Sequence, residues 1–224
     1  MRSMGEMVQT NANTTAAFTR PTVEEGLEEE LIADPDASVS VGDFGTFKAL
    51  GVSRAATVVS TGAGDGFVRA RVVGGRGKLS AVLPPQDWRG YQLGQIASES
   101  VTEAGEVAGE GWSSLTESCA HWMRSQGPLR ECLRRVWRHA PPDLHWRTAH
   151  DGSFAVVDDS KWPDNSANVD REQFSWPQES CVQWYPLNTS AEPGQSITLF
   201  GSPRRLTRVE YRLGTSEITA RGWY

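Results

Sequence analysis

Only three cysteines stand among the 224 residues, Cys119, Cys132 and Cys181, odd in number and far apart. That spacing excludes a zinc pattern and a disulfide framework. It fits assembly in a reducing cytoplasm. The four histidines, His121, His139, His145 and His150, offer no pair at metal spacing beside a third ligand. They read as surface or packing residues. No apolar run reaches transmembrane length and the N-terminus lacks a signal-peptide core, so stable membrane insertion is not expected. Beyond residue 40 there is no excess of either charge. The net charge of −6 is carried by the first 40 residues, where Glu6, Glu24, Glu25, Glu28, Glu29, Glu30, Asp34 and Asp36 outnumber Arg2 and Arg20. The balanced remainder lacks the basic footprint of a nucleic-acid reader.

The motifs of chemistry are missing too. Thr61-Gly-Ala-Gly-Asp-Gly66 has glycines, but they lead into a strand pattern, whereas a dinucleotide fingerprint opens a helix. It reads as a hairpin loop. Gly74-Gly-Arg-Gly-Lys78 lacks the first P-loop glycine, and Leu79 stands where Ser or Thr would bind magnesium. Asp158-Asp159 and Asp164-Asn165 lack the glycine and terminal Glu of an EF-hand. Sequence does not place any two of the 28 acids at glycosidase separation. No catalytic, metal-binding or cofactor-binding residue is nominated, no cofactor is expected, and the chain is read as a non-enzyme.

What is present is tryptophan, nine in all, eight of them between residues 88 and 184. The stretch from Gly127 to Trp162 organises the rest. Leu129, Cys132, Leu133, Val136 and Trp137 repeat at helical spacing and share one face. Pro128 suits a first helical turn, and the arginines Arg130, Arg134, Arg135 and Arg138 fill the other positions. Pro141-Pro142 stops the helix. Leu144–Arg147 and Phe154–Val157 then flank Asp151-Gly152, a hairpin signal. A second helix is expected over Gly90–Ala104, with Leu93, Ile96, Ala97, Ser100, Val101 and Ala104 as its stripe and Gly105 after it.

Short alternating runs separated by glycine-rich turns fill much of the rest: 56–60, 67–73, 79–83, 181–185, 197–200, 205–213 and 218–223. Residues 113–124 read as helix or irregular, 164–180 as a polar loop, and 22–36 as an acidic helical turn or a solvated charge run. The expected fold is α+β, mostly β, with small β-barrel or sandwich domains and two or three inserted amphipathic helices. The expected division is an acidic mobile arm (1–37), a first β domain (38–89), a helix-hairpin domain (90–163) and a C-terminal β domain (164–224). Trp137 and Trp146 belong to periodic apolar patterns. Trp88, Trp112, Trp162 and Trp176 stand in Pro/Gly-rich surroundings, where an aromatic covers the core or anchors an interface. With Arg89 they are the candidate interface residues.

One resemblance spans residues 55–224. Gly75-Arg-Gly-Lys-Leu79, Pro84-Pro-Gln-Asp-Trp-Arg-Gly-Tyr91 and a helix ending Glu103-Ala-Gly-Glu106 come first. Trp122, Gly127-Pro128, a Leu-rich helix, His145-Trp-Arg147, Asp151-Gly152, Val156-Val157 and Trp162-Pro163 follow. Pro193-Gly194 and Arg208–Leu213 close it. This order resembles the baseplate or tail-tip hub proteins of tailed bacteriophages. The chain is shorter than many hubs, and its acidic first 40 residues have no counterpart there. The resemblance implies small β-barrel domains with inserted helices, and a ring of copies, usually a homotrimer, closing the tail tube above the spike or fibres. Its partners would be itself and neighbouring tail proteins: a tube or distal tail protein and spike or fibre proteins. It would reside in the virion tail after synthesis in the bacterial host cytoplasm. The alternative expectation is a carbohydrate-binding or cell-wall-acting module with Trp-rich loops.

Overall fold

The structure, a computed structural model, describes residues 28–33, 40–49, 52–64, 67–158, 167–168, 172–176, 180–184, 195–199, 202–206, 208–213 and 218–224. These residues are mostly strand, in several small and mainly antiparallel sheets, with two α-helices. No barrel closes among them. No helix among them is long and apolar enough to cross a membrane.

The first sheet is one continuous run of chain. Strands β1 (Glu28–Ala33), β2 (Phe44–Ala49), β3 (Val52–Gly64) and β4 (Phe67–Gly74) lie in the order β1-β4-β3-β2. Its period of two is visible in the burial of one strand. In β4, Ala70 and Val72 are buried and Arg71 between them is exposed, whereas in β3 Ala56, Thr57 and Val58 are all buried. The loop after Thr61 is the expected hairpin, shorter than expected because β3 continues to Gly64. The acidic run is corrected. Glu28–Ala33 is an edge strand on β4, with Glu30 opposite Arg71 and Leu31 opposite Ala70. A six-residue helix has little stability of its own, whereas β4 offers a row of backbone partners. The expected arm at residues 1–37 therefore contains strand, and residues 1–27 lie outside the described residues.

The middle of the chain holds a core cluster of buried residues from Leu79 to Val156. It contains β5 (Val82–Leu83), β6 (Gln86–Gln92), α1 (Leu93–Glu103), a 3-10 turn at Trp112–Ser114 and β7 (Ser118–Arg124). Strand β8 (Gly127–Pro128), α2 (Leu129–Trp137), β9 (Leu144–Thr148) and β10 (Phe154–Asp158) follow. Helix α1 starts three residues later than expected because β6 claims residues up to Gln92 for pairing with β7. The expected stripe is buried from Leu93 to Val101, and Gly105 follows the helix at φ +90°. All five expected residues of α2 are buried. Pro128 precedes the helix and does not lie in its first turn. The first two N–H groups of α2 have outside acceptors: Leu129 donates to the Ala81 carbonyl at 3.0 Å and Arg130 to that of Leu79 at 2.9 Å. Residues 113–124, expected as helix or irregular, are mostly strand.

The hairpin pairs Trp146 with Val156 and Thr148 with Phe154. Its turn is wider than a two-residue one. The Ala149 N–H donates to the Ser153 carbonyl at 2.7 Å, and Gly152 takes φ +84°. The core joins both helices to this hairpin through Leu93, Ile96, Leu129, Leu133, Trp146 and Phe154. Rings continue across it. Trp112 meets Trp137 edge-on at 6.1 Å, Trp137 meets Trp146 at 6.5 Å, and Trp146 stacks on Phe154 at 5.6 Å.

The last third supplies β11 (Ala167–Asn168), β12 (Glu172–Trp176), β13 (Cys181–Trp184), β14 (Ser196–Leu199), β15 (Ser202–Arg205), β16 (Arg208–Leu213) and β17 (Ile218–Trp223). They form two sheets, ordered β12-β13-β17-β16 and β11-β14-β15. The alternating run expected as one strand over 205–213 is two strands in different sheets. Between them Leu206 is fully buried, and its N–H donates to the Gln195 carbonyl at 2.9 Å. Strand β12 falls in the stretch expected to be loop, and Pro193-Gly194 lies outside the described residues.

Leu133 is fully buried in the middle of α2. Leu133→Ala should cost about 2–5 kcal/mol, the usual loss for a core leucine. Thermal unfolding would check this, and an unchanged melting temperature would show that the helix does not face a core.

Candidate functional site

The residues nominated as interface anchors separate by position. Trp88 sits on the inner face of β6 and is 3% exposed. Its indole N–H donates to Glu99 Oε2 at 2.7 Å, and the Arg124 guanidinium lies 5.1 Å from its ring centre. Trp112 is 7% exposed, and its indole N–H donates to the Phe154 carbonyl at 3.0 Å. Both rings are covered within the chain, which is the core-cover alternative for these two. A buried ring face has no area left to offer a partner or a sugar. Trp162 lies outside the described residues. Trp176 ends β12 opposite Cys181. Arg89 is the accessible member, with 80% of its side chain exposed.

Arg89 belongs to an outward face that the sequence did not reveal. Strands β6 and β7 form a two-stranded ribbon, pairing Asp87 with Met123, Arg89 with His121 and Tyr91 with Cys119. Asp87, Arg89, His121 and Met123 alternate with the inward pair Trp88 and Trp122, while Cys119 packs against the core. Asp87 accepts from His121 Nε2 at 2.5 Å and faces Arg89 Nε at 3.5 Å. Met123 is 62% exposed and Tyr91 37%. The face mixes apolar and charged groups, as protein contact surfaces do. Its signal was hidden because β7 was not legible as a strand, so no cross-strand neighbours could be assigned.

Behind the ribbon, Arg124 is 3% exposed and well partnered. It donates to the Pro84 carbonyl, Ser100 Oγ, Gln86 Oε1 and Glu103 Oε2, the last at 2.6 Å. Cys132 Sγ lies 3.4 Å from the same Ser100 hydroxyl. A buried arginine satisfied on this scale fixes how α1, β6 and β7 sit together. An open groove of about 610 Å³ lies beside it, lined by Gln86, Ser98, Glu99, Thr102, Glu103 and Ala108. Its carboxylates are engaged by Trp88 and Arg124. Among the described residues, no group of three or more His, Cys, Asp and Glu could hold a metal ion.

A further buried acid is Glu106, 5% exposed. It accepts from the Arg76 N–H at 2.8 Å and the Lys78 N–H at 2.5 Å. Burial pushes its carboxyl above the ordinary 4.5, and the two N–H groups and the charges of Arg76 and Lys78 offset this only in part. Asp151 shows the opposite. The Ser153 N–H and hydroxyl hold its carboxyl below the ordinary 3.8.

Comparison with known structures gives the class of fold. The chain matches a 43 kDa tail protein of prophage MuSo2 from Shewanella oneidensis at TM-score 0.69 and 10% identity, covering 99% of this chain and 96% of that one. It matches a tail protein from Neisseria meningitidis MC58 at TM-score 0.65 and 10% identity, over 94% of this chain and 91% of that one. It also matches the E. coli c3393 protein at TM-score 0.66 and 11% identity, over 97% of this chain and 75% of that one. That protein is a component of the type VI secretion system with structural similarity to the T4 tail proteins gp27 and gp5. The fold is thus that of phage tail proteins, over nearly the whole chain. No family model matches the sequence, and no curated protein is recognisably similar to it in sequence.

Two predictions follow from this placement. Trp88→Ala should lower stability by about 3–5 kcal/mol, as a core tryptophan does, while Arg89→Ala should stay within about 0.5 kcal/mol of wild type in chemical unfolding. The second concerns pH. A carboxyl whose folded value is raised takes up a proton on folding, so its contribution is fully present below the ordinary 4.5 and is lost as pH rises through the folded value. The melting-temperature difference between wild type and Glu106→Gln should therefore move against the wild type over that rise. A difference independent of pH would contradict it.

Proposed function

We propose that the chain is a structural component of a bacteriophage tail, a hub of the baseplate or tail tip that closes the tail tube and links it to the spike or fibres. The observation that carries this reading is the end-to-end agreement with the MuSo2 tail protein, at TM-score 0.69 over 99% of this chain. The work of such a part is assembly, not catalysis. Its partners are further copies of itself, arranged as a homotrimeric ring, and the tail proteins above and below. A ring gives each subunit two different faces in contact with its neighbours.

The four outer strands of the two four-stranded sheets, β1, β2, β12 and β16, support that arrangement, because their outer edges have no partner strand among the described residues. Open edges are either protected or used. Arg89 on the ribbon face, with Trp162 and Trp176, are the anchors we assign to the contacts. The proposed division is two outer β parts, the first sheet and the C-terminal sheets, about a central helix-hairpin part; a boundary at 89/90 would fall inside β6, which pairs with β7.

The carbohydrate-binding alternative needs exposed ring faces for stacking, and Trp88 and Trp112 are buried. Light scattering on the purified chain tests the reading. The expected mass is three times the 24.6 kDa of one copy. Arg89→Ala should shift material toward the monomer while its melting temperature stays put. A stable monomer that binds peptidoglycan fragments would overturn the hub reading.

A further inference from the structure

The glycine-rich turn dismissed as a P-loop does hold an anion, and the anion is internal. Gly75 and Gly77 take φ +72° and +71° on either side of Arg76. The N–H groups of Arg76 and Lys78 converge on the two carboxylate oxygens of Glu106, at 2.8 and 2.5 Å. Successive N–H groups arranged this way form an anion-binding concavity. A side chain at Gly75 would place its Cβ 2.8 Å from Glu106 Oε2 and 2.9 Å from the Gly152 carbonyl. At Gly77 it would meet Val59 and Val73 at 3.2 Å. Glycine at both positions is therefore what lets the turn close over the carboxylate.

The location gives this contact its consequence. The first sheet is built from residues 28–74, and β4 leaves it toward the centre through this turn. One covalent link does not fix an orientation, so non-covalent contacts must do so. Several lie around the turn. The Thr57 hydroxyl donates to the Gly75 carbonyl at 2.7 Å, the Gly75 N–H to the Ala55 carbonyl at 3.1 Å, and the Ala55 N–H to the His150 carbonyl at 2.7 Å. Glu106 comes from the other side, three residues after α1, with its own N–H bonded to the Val101 carbonyl at 3.1 Å.

We propose that Glu106 and the Gly75–Lys78 turn form a carboxylate-pinned joint that sets the orientation of the first sheet against the helical centre. The proposal is independent of the tail reading and holds for the isolated subunit. The pin is a single replaceable anion. Without it, two part-buried N–H groups lose their acceptor, and the sheet is held by its chain link and the Ala55–His150 bond but loses its fixed angle. A component that must change shape during assembly or triggering would use such a joint as its point of release.

The test removes the anion and then returns it. In Glu106→Ala, amide exchange at Arg76 and Lys78 should become at least about tenfold faster, the change expected for losing such a bond. Formate should restore protection, because it refills the space, and chloride at equal ionic strength should not. Orientation is read separately with spin labels on Ser60→Cys and Ser118→Cys, in a Cys119→Ser background. One narrow distance is expected with Glu106 present, and a broad one in Glu106→Ala that narrows again with formate. Should Glu106→Ala fail to fold, Glu106→Gln and Gly75→Ala supply the same two measurements, with faster exchange and a broader distance expected for both. Unchanged exchange at Arg76 and Lys78, or a distance as narrow without the carboxylate as with it, would overturn the proposal.

Discussion

Strand β10 has to carry two partners at once, and the fold depends on it. On one side it pairs with β9. On the other it is bonded to the segment between the helices. The Phe154 N–H donates to the Val107 carbonyl at 2.8 Å, Gly109 to the Phe154 carbonyl at 2.7 Å, and Val156 to the Glu110 carbonyl at 2.9 Å. Phe154 is fully buried between these bonds, stacked on Trp146 and accepting from the Trp112 indole. The approach is close enough to demand glycine. A Cβ on Gly111 would lie 2.1 Å from the Val156 carbonyl oxygen, and one on Gly94 would lie 1.9 Å from that of Trp112. Helix α1, the 106–115 segment, the hairpin and the first sheet's turn all meet around this one residue.

The parts that were legible in the sequence are those whose pattern is local. The stripe of α2 is a 3.6-residue period read from nine residues, and all five of its members are buried. The α1 stripe and the Asp151-Gly152 hairpin are of the same kind. The parts that were not legible depend on a partner far along the chain. Ser118–Arg124 shows no decisive period of its own and becomes a strand by pairing with β6. Glu28–Ala33 reads as an acidic helical turn or a solvated charge run until β4 accepts it. Trp88 shares the problem. Beside Pro84-Pro85 it reads as a loop residue, yet β6 turns it inward over Arg124.

The candidate site was legible only in part for the same reason. Arg89 is exposed, but its neighbours His121 and Met123 come from β7, so the ribbon face exists only after pairing. Glu106 gave no signal in the sequence, since an acid after a helix is ordinarily solvated. The tryptophan count suggested recognition by stacking. The structure instead places Trp88, Trp112, Trp137 and Trp146 inside, each less than a tenth exposed. Under the proposed hub reading, strand edges and mixed faces such as the ribbon, with Trp162 and Trp176, would carry the contacts. This suits a part that binds other proteins over broad areas better than one that grips a sugar.

The agreement in fold extends over 94–99% of this chain at 10–11% identity. The fold is thus shared at a level of identity where the sequences alone show no likeness. Cryo-electron microscopy of particles from the source of this chain tests the proposed hub reading most directly. The account predicts density for this fold on the tail axis, repeated as a three-fold ring at the end of the tube, with strand edges at the subunit contacts. Density for the chain as a single copy on the particle surface, or a particle without it, would contradict the account.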